Sequence, residues 1–340
     1  MTNRQPRITR PRHLAGRFLL GAVLATAASL QAQTPSAKSE LIRTRTHPVK
    51  FDAKLGAGVA VLSADRLRQI SVTLIELAPG KQLAPRRELA EEMIYIVSGQ
   101  GYTLMSPNKL DDKDSAKIRY NWKAGDLLSP SMNSWRQHAN ASATETARYI
   151  VISTAPLTER MFHNPAFLTS VDTTFDDRWK DSVGIEPRYT PGPSGPETVR
   201  MKVGHLLPNL RDRKMEFRGN GMDGITITPE GDMASNHLLE MEVREFTGPE
   251  ATSPEHRHVW ETFYLILSGD GFATLQDQDG PERRLDWTEG DVFLVGANEW
   301  HNHKPRAGSL PRFLQIKPSG YFHDIGLDPY LMTNKPAARK

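Results

Sequence analysis

The chain contains no cysteine. Disulfide bonds and thiolate ligands are therefore excluded, so a metal site would have to use imidazole, carboxylate or water, and stability has to come from packing. The sequence also has no block of basic residues and no alternation of basic and aromatic residues, so nothing in it indicates nucleic-acid binding. Its 340 residues allow two domains of ordinary size.

The first 32 residues have the composition of an export signal. Five arginines and no acidic residue precede an apolar run, Phe18–Leu30, which is too short to span a bilayer as a stable helix. Leu30-Gln31-Ala32 provides a small-residue end for cleavage after Ala32, although an uncleaved anchor remains the alternative. Without this leader, 38 basic and 40 acidic residues remain. We expect a periplasmic or secreted protein with no membrane span in its mature form.

The rest of the chain contains an internal repeat. Glu91–Gly101 aligns with Glu261–Gly271, and both segments contain the pattern Ser-Gly-x-Gly. Tyr120–Asp126 aligns with Leu285–Asp291, and both segments contain Trp-x-x-Gly-Asp. Alternating and β-branched apolar residues predict strands in each copy, as at residues 57–62, 70–77, 237–246 and 312–316.

The second copy carries two pairs of histidines. His256 and His258 are two residues apart, and so are His301 and His303. In a β-strand, residues i and i+2 point to the same face, so each pair can project two imidazoles into one interior. Imidazole is a ligand suited to zinc, copper, iron and nickel, so the spacing predicts a metal site.

These residues resemble the cupin superfamily. The first cupin motif corresponds to His256-Arg-His258 followed by Gly269, and the second runs from Gly290 to His301. The resemblance implies metal binding by His256, His258 and His301. It also implies an all-β bicupin fold: two antiparallel double-stranded β-helix barrels, of the jelly-roll type, joined by a Pro/Gly-rich linker.

The predicted organisation has six parts. They are a signal peptide at 1–32, a flexible arm at 33–50, a degenerate barrel without metal ligands at 51–155, a linker with short helices at 156–214, the metal-binding barrel at 215–325 and a tail at 326–340.

The first copy lacks the histidine ligands. Arg86, Glu88 and Arg136 stand at the positions of His256, His258 and His301, and only His138 remains, opposite His303. Arginine does not give up its proton to become a ligand. We expect the two arginines to pair with Glu88 or with Glu92, because buried charges need partners. An anion pocket built on the arginines is the alternative.

A carboxylate ligand is not predicted in the second copy. The family usually adds a glutamate seven residues before the glycine that ends the strand, and this position is Thr262 rather than Glu261. Strand alternation also points Glu261 away from the histidine face. A β-bulge after His258 would restore Glu261 as a fourth ligand, and this alternative stays open.

Three histidines without a carboxylate are similar to gentisate-type ring-cleavage dioxygenases. The resemblance implies Fe(II) and an aromatic hydroxy-acid substrate, and it favours an enzyme. A manganese-dependent decarboxylase or oxidase of small carboxylic acids, with Mn(II) and Glu261 as fourth ligand, is the first alternative. A non-catalytic small-molecule-binding protein is the second. Bicupins commonly associate, so a homo-oligomer is possible.

Further residues are candidates for roles around the metal. Alternation places Trp260, Thr262 and Tyr264 on the ligand face, where the two aromatic rings would stack on a planar substrate or simply fill the barrel core. His303 has the parity of an acid or base beside the metal, or of a hydrogen-bonded structural histidine. Gln315, on the closing strand, is a weaker candidate for a polar contact. We therefore expect Trp260 and Thr262 to bind substrate and Tyr264, His303 and Gln315 to act in catalysis.

Overall fold

The computed structural model describes residues 41–63, 66–175, 185–192, 195–213, 225–227, 231–233, 236–246, 248, 252–277 and 280–327. The predicted signal peptide, most of the tail and residues 33–40 lie outside this part of the chain. Among the described residues, none of the helices has the length and apolar character needed to cross a bilayer.

The described residues form β-sheets, antiparallel except for one parallel strand pair, and three short helices. The elements up to residue 170 are β1 (Ile42–Arg43), β2 (Lys50–Asp52), β3 (Ala57–Val61), β4 (Ser71–Leu77), β5 (Glu92–Ser98), β6 (Gln100–Ser106), β7 (Ile118–Lys123), β8 (Leu127–Leu128), β9 (Trp135–Asn140), β10 (Ala147–Ser153), α1 (Ala155–Phe162) and α2 (Phe167–Ser170). Those that follow are β11 (Ile185–Gly192), β12 (Gly195–Val203), β13 (Leu206–Leu207), β14 (Ile225–Ile227), β15 (Gly231–Met233), β16 (Glu240–Phe246), β17 (Thr262–Ser268), β18 (Asp270–Gln276), β19 (Arg283–Thr288), β20 (Asp291–Val295), β21 (Trp300–Pro305), β22 (Arg312–Lys317) and α3 (Ser319–Asp324).

Each copy of the repeat forms a jelly-roll barrel in which a large sheet faces a three-stranded sheet. In the first barrel, the order β13-β8-β5-β10-β4-β3-β2 faces β7-β6-β9. In the second barrel, the order β1-β20-β17-β22-β16-β15-β12-β11 faces β19-β18-β21, and β14 pairs with β16. The all-β double-barrel fold that the cupin resemblance implied is confirmed.

The two large sheets pack against each other and share a hydrophobic core. Alternation sends one set of side chains into each barrel and the other set into this shared core. Phe263 and Leu265 of β17 lie in the shared core with Val72 and Leu74 of β4, whereas Tyr264 points into the second barrel. The barrels are therefore held together by apolar burial as well as by the chain that connects them.

Packing explains why both copies contain the Ser-Gly-x-Gly pattern. Gly99 and Gly269 adopt φ values of 79° and 74°, which residues with a Cβ rarely tolerate. A Cβ on Gly101 or Gly271 would lie 2.2 or 2.3 Å from the ring of the tryptophan in Trp-x-x-Gly-Asp, Trp122 or Trp287. The glycines let each tryptophan ring lie against the strand.

Short strands are exchanged between the barrels. Ile42 and Arg43 of β1 pair with Val292 and Asp291 in the second barrel. β13, which follows β12 of the second barrel's sheet in the chain, pairs with β8 in the first barrel's large sheet. The structure therefore differs from the predicted arm at 33–50, because the described residues 41–50 include β1 and the start of β2. Composition could not reveal a partner strand about 250 residues further along.

The predicted linker at 156–214 also contains β-strands. Residues 185–192 and 195–203 pair antiparallel as β11 and β12, and β12 pairs with β15 of the second barrel. Pro191, Gly192, Gly195 and Pro196 lie at the end of this hairpin. They do not prevent pairing because proline is tolerated at sheet edges and strand ends. The short helices predicted in the linker correspond to α1 and α2.

Two buried carboxylates hold the barrels to each other reciprocally. Glu91 of the first copy accepts backbone N–H bonds from His237, Leu238 and Leu239 at 2.8, 2.7 and 2.9 Å. Glu261 of the second copy does the same for the first barrel, with bonds of 2.6, 2.7 and 3.1 Å from residues 68, 69 and 70. We call these contacts the two carboxylate latches. Each one satisfies three backbone donors at the start of a sheet strand.

Replacing Glu91 by alanine should lower the free energy of unfolding by about 3 kcal/mol or more, because it leaves three backbone donors without their acceptor. Glu289→Ala is the matched control, since Glu289 also links the copies through Arg45 and Arg211 but in exposed ion pairs. It should cost less than about 1 kcal/mol. Denaturant unfolding of both variants measures the difference, and equal losses would contradict the importance of the latch.

Candidate metal centre

Three histidines of the second barrel converge on one point. His256 and His301 form an isolated antiparallel bridge, with backbone N–H to O distances of 3.0 and 2.9 Å. His258 follows two residues later, and the ring centroids of His258 and His301 lie 4.8 Å apart. One potential ligand nitrogen from each ring lies within 4.8 Å of the other two. The structure thus brings together the three residues that the cupin resemblance implied.

Backbone carbonyls fix the tautomer of each ring. Nδ1 of His256, His258 and His301 lies 2.7, 2.7 and 2.8 Å from the carbonyl oxygen of Pro254, Trp260 and Glu299, respectively. A carbonyl only accepts, so each Nδ1 carries the proton and donates it. The lone pair of each neutral ring is therefore on Nε2. Metal-binding histidines are usually oriented by this kind of hydrogen bond.

The Nε2 atoms fit a metal ion. Among the described residues, Nε2 of His258 and Nε2 of His301 are buried and make no hydrogen bond. Burial lowers the pKa of His256 to about 4 and lowers the pKa of His258 and His301 well below the ordinary value. The rings are therefore neutral at pH 7. Buried acceptors without hydrogen-bond partners, on neutral rings, are what a divalent cation would satisfy.

Glu261 is turned away from the histidines. Its carboxylate is one of the two latches, so both oxygens accept backbone bonds from the first barrel. The strand-alternation prediction therefore holds, and the bulge that would have made Glu261 a fourth ligand is not present. Thr262 occupies the family's glutamate position, and among the described residues its buried Oγ1 has no hydrogen-bond partner.

The predicted aromatic residues lie on the ligand face but are packed by other rings. Trp260 stacks on His258, with centroids 4.6 Å apart and an angle of 11°. Tyr264 stacks on Phe293 at 4.8 Å and also contacts His303 at 4.6 Å. This packing favours the core alternative over stacking on a substrate. The hydroxyl of Tyr264 stays a candidate for catalysis.

The three residues predicted to act in catalysis, Tyr264, His303 and Gln315, also point into the barrel. Within the described part of the chain, the Tyr264 hydroxyl, Nε2 of His303 and Oε1 of Gln315 are buried and lack hydrogen-bond partners. Burial raises the pKa of Tyr264 and lowers that of His303. The phenol therefore keeps its proton and the imidazole stays neutral at pH 7. These atoms give the barrel interior donors and acceptors beyond the three clustered histidines.

A buried charged group beside the histidines was missed by the sequence analysis. Arg244 donates to Glu242 at 2.6–2.7 Å, and Nζ of Lys317 lies 3.0 Å from the other oxygen of the same carboxylate. All three are buried, and both cations contribute to lowering the pKa of His256. The signal was present: β16 alternates charged and apolar residues, so its charged face had to point into the barrel once its apolar face met the shared core.

In the first barrel, ion pairs fill the equivalent position. Arg86 and Arg136 form the same isolated bridge that His256 and His301 form in the second barrel. Arg86 contacts Glu88 at 2.6 Å and Glu92 at 3.0 Å, and Arg136 contacts the same carboxylates at 3.3 and 2.8 Å. Burial alone would raise the pKa of Glu92, but the two guanidinium groups hold it well below its usual range. The expected pairing is present, and it occupies the charges that an anion pocket would need.

The comparisons with known proteins agree with this architecture. Residues 244–310 match the family model of the cupin domain. No curated protein matches the chain by sequence. Among solved structures, the chain is similar to a salicylate 1,2-dioxygenase from Pseudoaminobacter salicylatoxidans in adducts with gentisate, with a TM-score of 0.59 and 12% identity over 92% of this chain and 89% of that one. An oxalate decarboxylase from Lactobacillus farciminis, in a formate complex, gives a TM-score of 0.50 and 10% identity over 84% and 87%.

The second barrel is therefore a cupin domain with a three-histidine site, and the chain has the bicupin fold. At these identities, the likeness to the two enzymes establishes the fold and leaves reaction and substrate to be argued from the site.

We expect the purified protein to bind close to one divalent ion per chain, measured by metal analysis after dialysis. Replacing both His256 and His258 by alanine should abolish this binding, because one imidazole is left of three. His163→Ala, which removes an exposed histidine after α1, should leave the ion in place. Two ions per chain would contradict the conclusion that ion pairs leave no metal site in the first barrel.

His138 in the first barrel should make the protein sensitive to acid. Burial, with Arg86 and Arg136 nearby, lowers its pKa to about 3, whereas the unfolded chain titrates near the ordinary 6.5. Between these values the unfolded state binds one more proton, so stability is lost as pH falls. Relative to His138→Gln, the metal-free wild type should lose about 1.4 kcal/mol of unfolding free energy per pH unit between pH 6 and 4. Parallel pH profiles from denaturant unfolding would contradict this.

Proposed function

We propose that this protein is an exported, metal-dependent oxidoreductase of the dioxygenase type, acting on a small aromatic or carboxylic acid. The observation that carries the proposal is the ligand set: three neutral imidazoles with inward Nε2 atoms, and a glutamate that is committed elsewhere. Fe(II) held by His256, His258 and His301 would keep coordination positions open, so that it can bind a chelating substrate and activate dioxygen.

The residues around the ligands have defined tasks in this proposal. Backbone carbonyls hold the three rings in the tautomer that presents Nε2, so binding needs no rearrangement of protons. Tyr264 remains protonated at neutral pH because burial raises its pKa, so its hydroxyl can donate a hydrogen bond to a substrate oxygen. Neutral His303 and Gln315 supply further polar contacts deeper in the barrel.

The second barrel buries a group of charges beside the histidines that the first barrel lacks at the matching positions. Arg244 and Lys317 pair with Glu242, whereas the equivalent positions of β4 and β10 in the first barrel are Ile75, Ser153 and Thr73. Burying charges costs free energy, so this group suggests a task beside the histidines. Glu240 is buried on the same face of β16, so the four side chains carry no net formal charge, and the two cations would orient a substrate carboxylate as hydrogen-bond donors.

A manganese-dependent decarboxylase or oxidase of small carboxylic acids is the second candidate, and the fold similarity to an oxalate decarboxylase is its support. It needs a carboxylate ligand, and Glu261 faces the first barrel instead. In the third candidate, a small-molecule-binding protein, the same site would hold a ligand without converting it.

The proposed export rests on residues 1–32, whose arginines and apolar run have the order of a signal peptide. Detection of the mature chain, starting after Ala32, in a periplasmic or culture fraction would test it. A full-length chain in the cytoplasmic fraction alone would refute it.

The reaction can be tested by loading the protein with Fe(II) under anaerobic conditions and then adding hydroxybenzoates and air. We expect substrate-dependent oxygen uptake, which should be lost in His301→Ala because the ligand set is broken. Carbon dioxide release from oxalate with Mn(II), without oxygen uptake in the first assay, would favour the second candidate. Metal-replete protein that is inert in both assays but binds a hydroxybenzoate would favour the third.

A further inference from the structure

The first barrel contacts the segment that carries His258. The side-chain amide of Gln69 bridges this segment at two points: Nε2 donates to the carbonyl of Val259 at 2.9 Å, and Oε1 accepts the backbone N–H of Glu261 at 2.9 Å. Between these two points lies Trp260, whose carbonyl orients His258. One amide from the first barrel thus fixes the backbone on both sides of the carbonyl that holds a ligand ring.

The same stretch of the first barrel also reaches the segment that carries His301. Arg66 donates to the carbonyl of Leu294 at 3.1 Å, and its guanidinium lies 3.9 Å from the carboxylate of Glu299. The carbonyl of Glu299 accepts from Nδ1 of His301, and its carboxylate accepts the N–H of Gly296 at 2.8 Å. Residues 66–70 therefore contact both ligand-bearing segments of the other barrel.

The internal repeat relates the two latches, so comparing them shows whether the Gln69 contact is present in both. The backbone donors of the two latches correspond atom by atom, so Gln69 is matched by Leu238. Leucine cannot bridge the backbone around Glu91. The N–H of Glu91 is instead satisfied within its own copy, by Oγ1 of Thr154 at 3.0 Å. The amide bridge is thus present on the side that carries the histidine site and missing on the side that does not.

We propose that Gln69 is a positioning residue for the histidine site, supplied by the first barrel to the second. It holds the backbone of residues 259–261, which fixes the Trp260 carbonyl and through it the tautomer and direction of His258. On this view the first barrel does more than stabilise the second, because its Gln69 orients the backbone carbonyl that holds the ring of His258. The inference depends on the proposed metal site and not on the proposed reaction.

The substitution that tests this is Gln69→Leu, because the protein already carries leucine at the matching place in the other latch. Gln69→Met, which keeps the length of the side chain without the amide, is the second variant. The matched control is Thr154→Val, which removes the partner of the corresponding N–H in the barrel without histidine ligands. All three are made in the full chain and tested with Co(II), by chelator competition and by the visible absorption spectrum of the bound ion.

We expect Gln69→Leu and Gln69→Met to weaken Co(II) binding about tenfold, which is the lower end of the loss seen when a residue that orients a metal ligand is removed. Both variants should also shift the absorption bands of the bound ion. Thr154→Val should leave affinity and spectrum unchanged, even where metal-free unfolding shows a similar loss of stability. Wild-type affinity and spectrum in both Gln69 variants would overturn the inference and leave the metal site intact. A wild-type protein that binds no Co(II) would overturn both the inference and the proposed metal site.

Discussion

The burial of apolar side chains between the two large sheets is the interaction on which the rest of this structure depends. It places β4 and β5 of the first barrel directly against β17 and β22 of the second. Because each of these strands alternates, fixing its outer face in the shared core also fixes which residues enter each barrel. The latches of Glu91 and Glu261 then close the two ends of this contact. The inward direction of Tyr264 and Gln315 follows from that packing, because both lie on strands of the large sheet.

The duplicated fold has specialised by exchanging chemistry at equivalent positions. The bridge that joins His256 to His301 in one barrel joins Arg86 to Arg136 in the other. In the first barrel, guanidinium and carboxylate groups satisfy one another, so the interior is neutral and closed. In the second, the buried Nε2 atoms have no such partners among the described residues. The same backbone thus stabilises itself with ion pairs in one copy and presents ligand atoms in the other.

The placement of Glu261 links this specialisation to the chemistry that the site can support. A glutamate next to the histidine motif suggests a ligand at first, but the spacing to Gly269 and the strand alternation both argue against it. The structure agrees with the parity, because the carboxylate is used to hold the first barrel. The ligand set is then three neutral imidazoles, which carries no charge to offset that of a divalent ion.

The sequence by itself determined the repeat, the two barrels, the three clustered histidines and the pairing of arginine with glutamate in the first copy. These features follow from local spacing, from strand alternation and from the resemblance to the cupin motifs, all of which involve residues close together in the chain. Only the tertiary structure decided that residues 42–43 and 206–207 are exchanged between sheets, that residues 185–203 form a hairpin and that Glu242, Arg244 and Lys317 meet beside the histidines. It alone revealed the bridge from Gln69. Each of these joins residues far apart in the chain, and their contact is set by how two sheets pack, which no local pattern records.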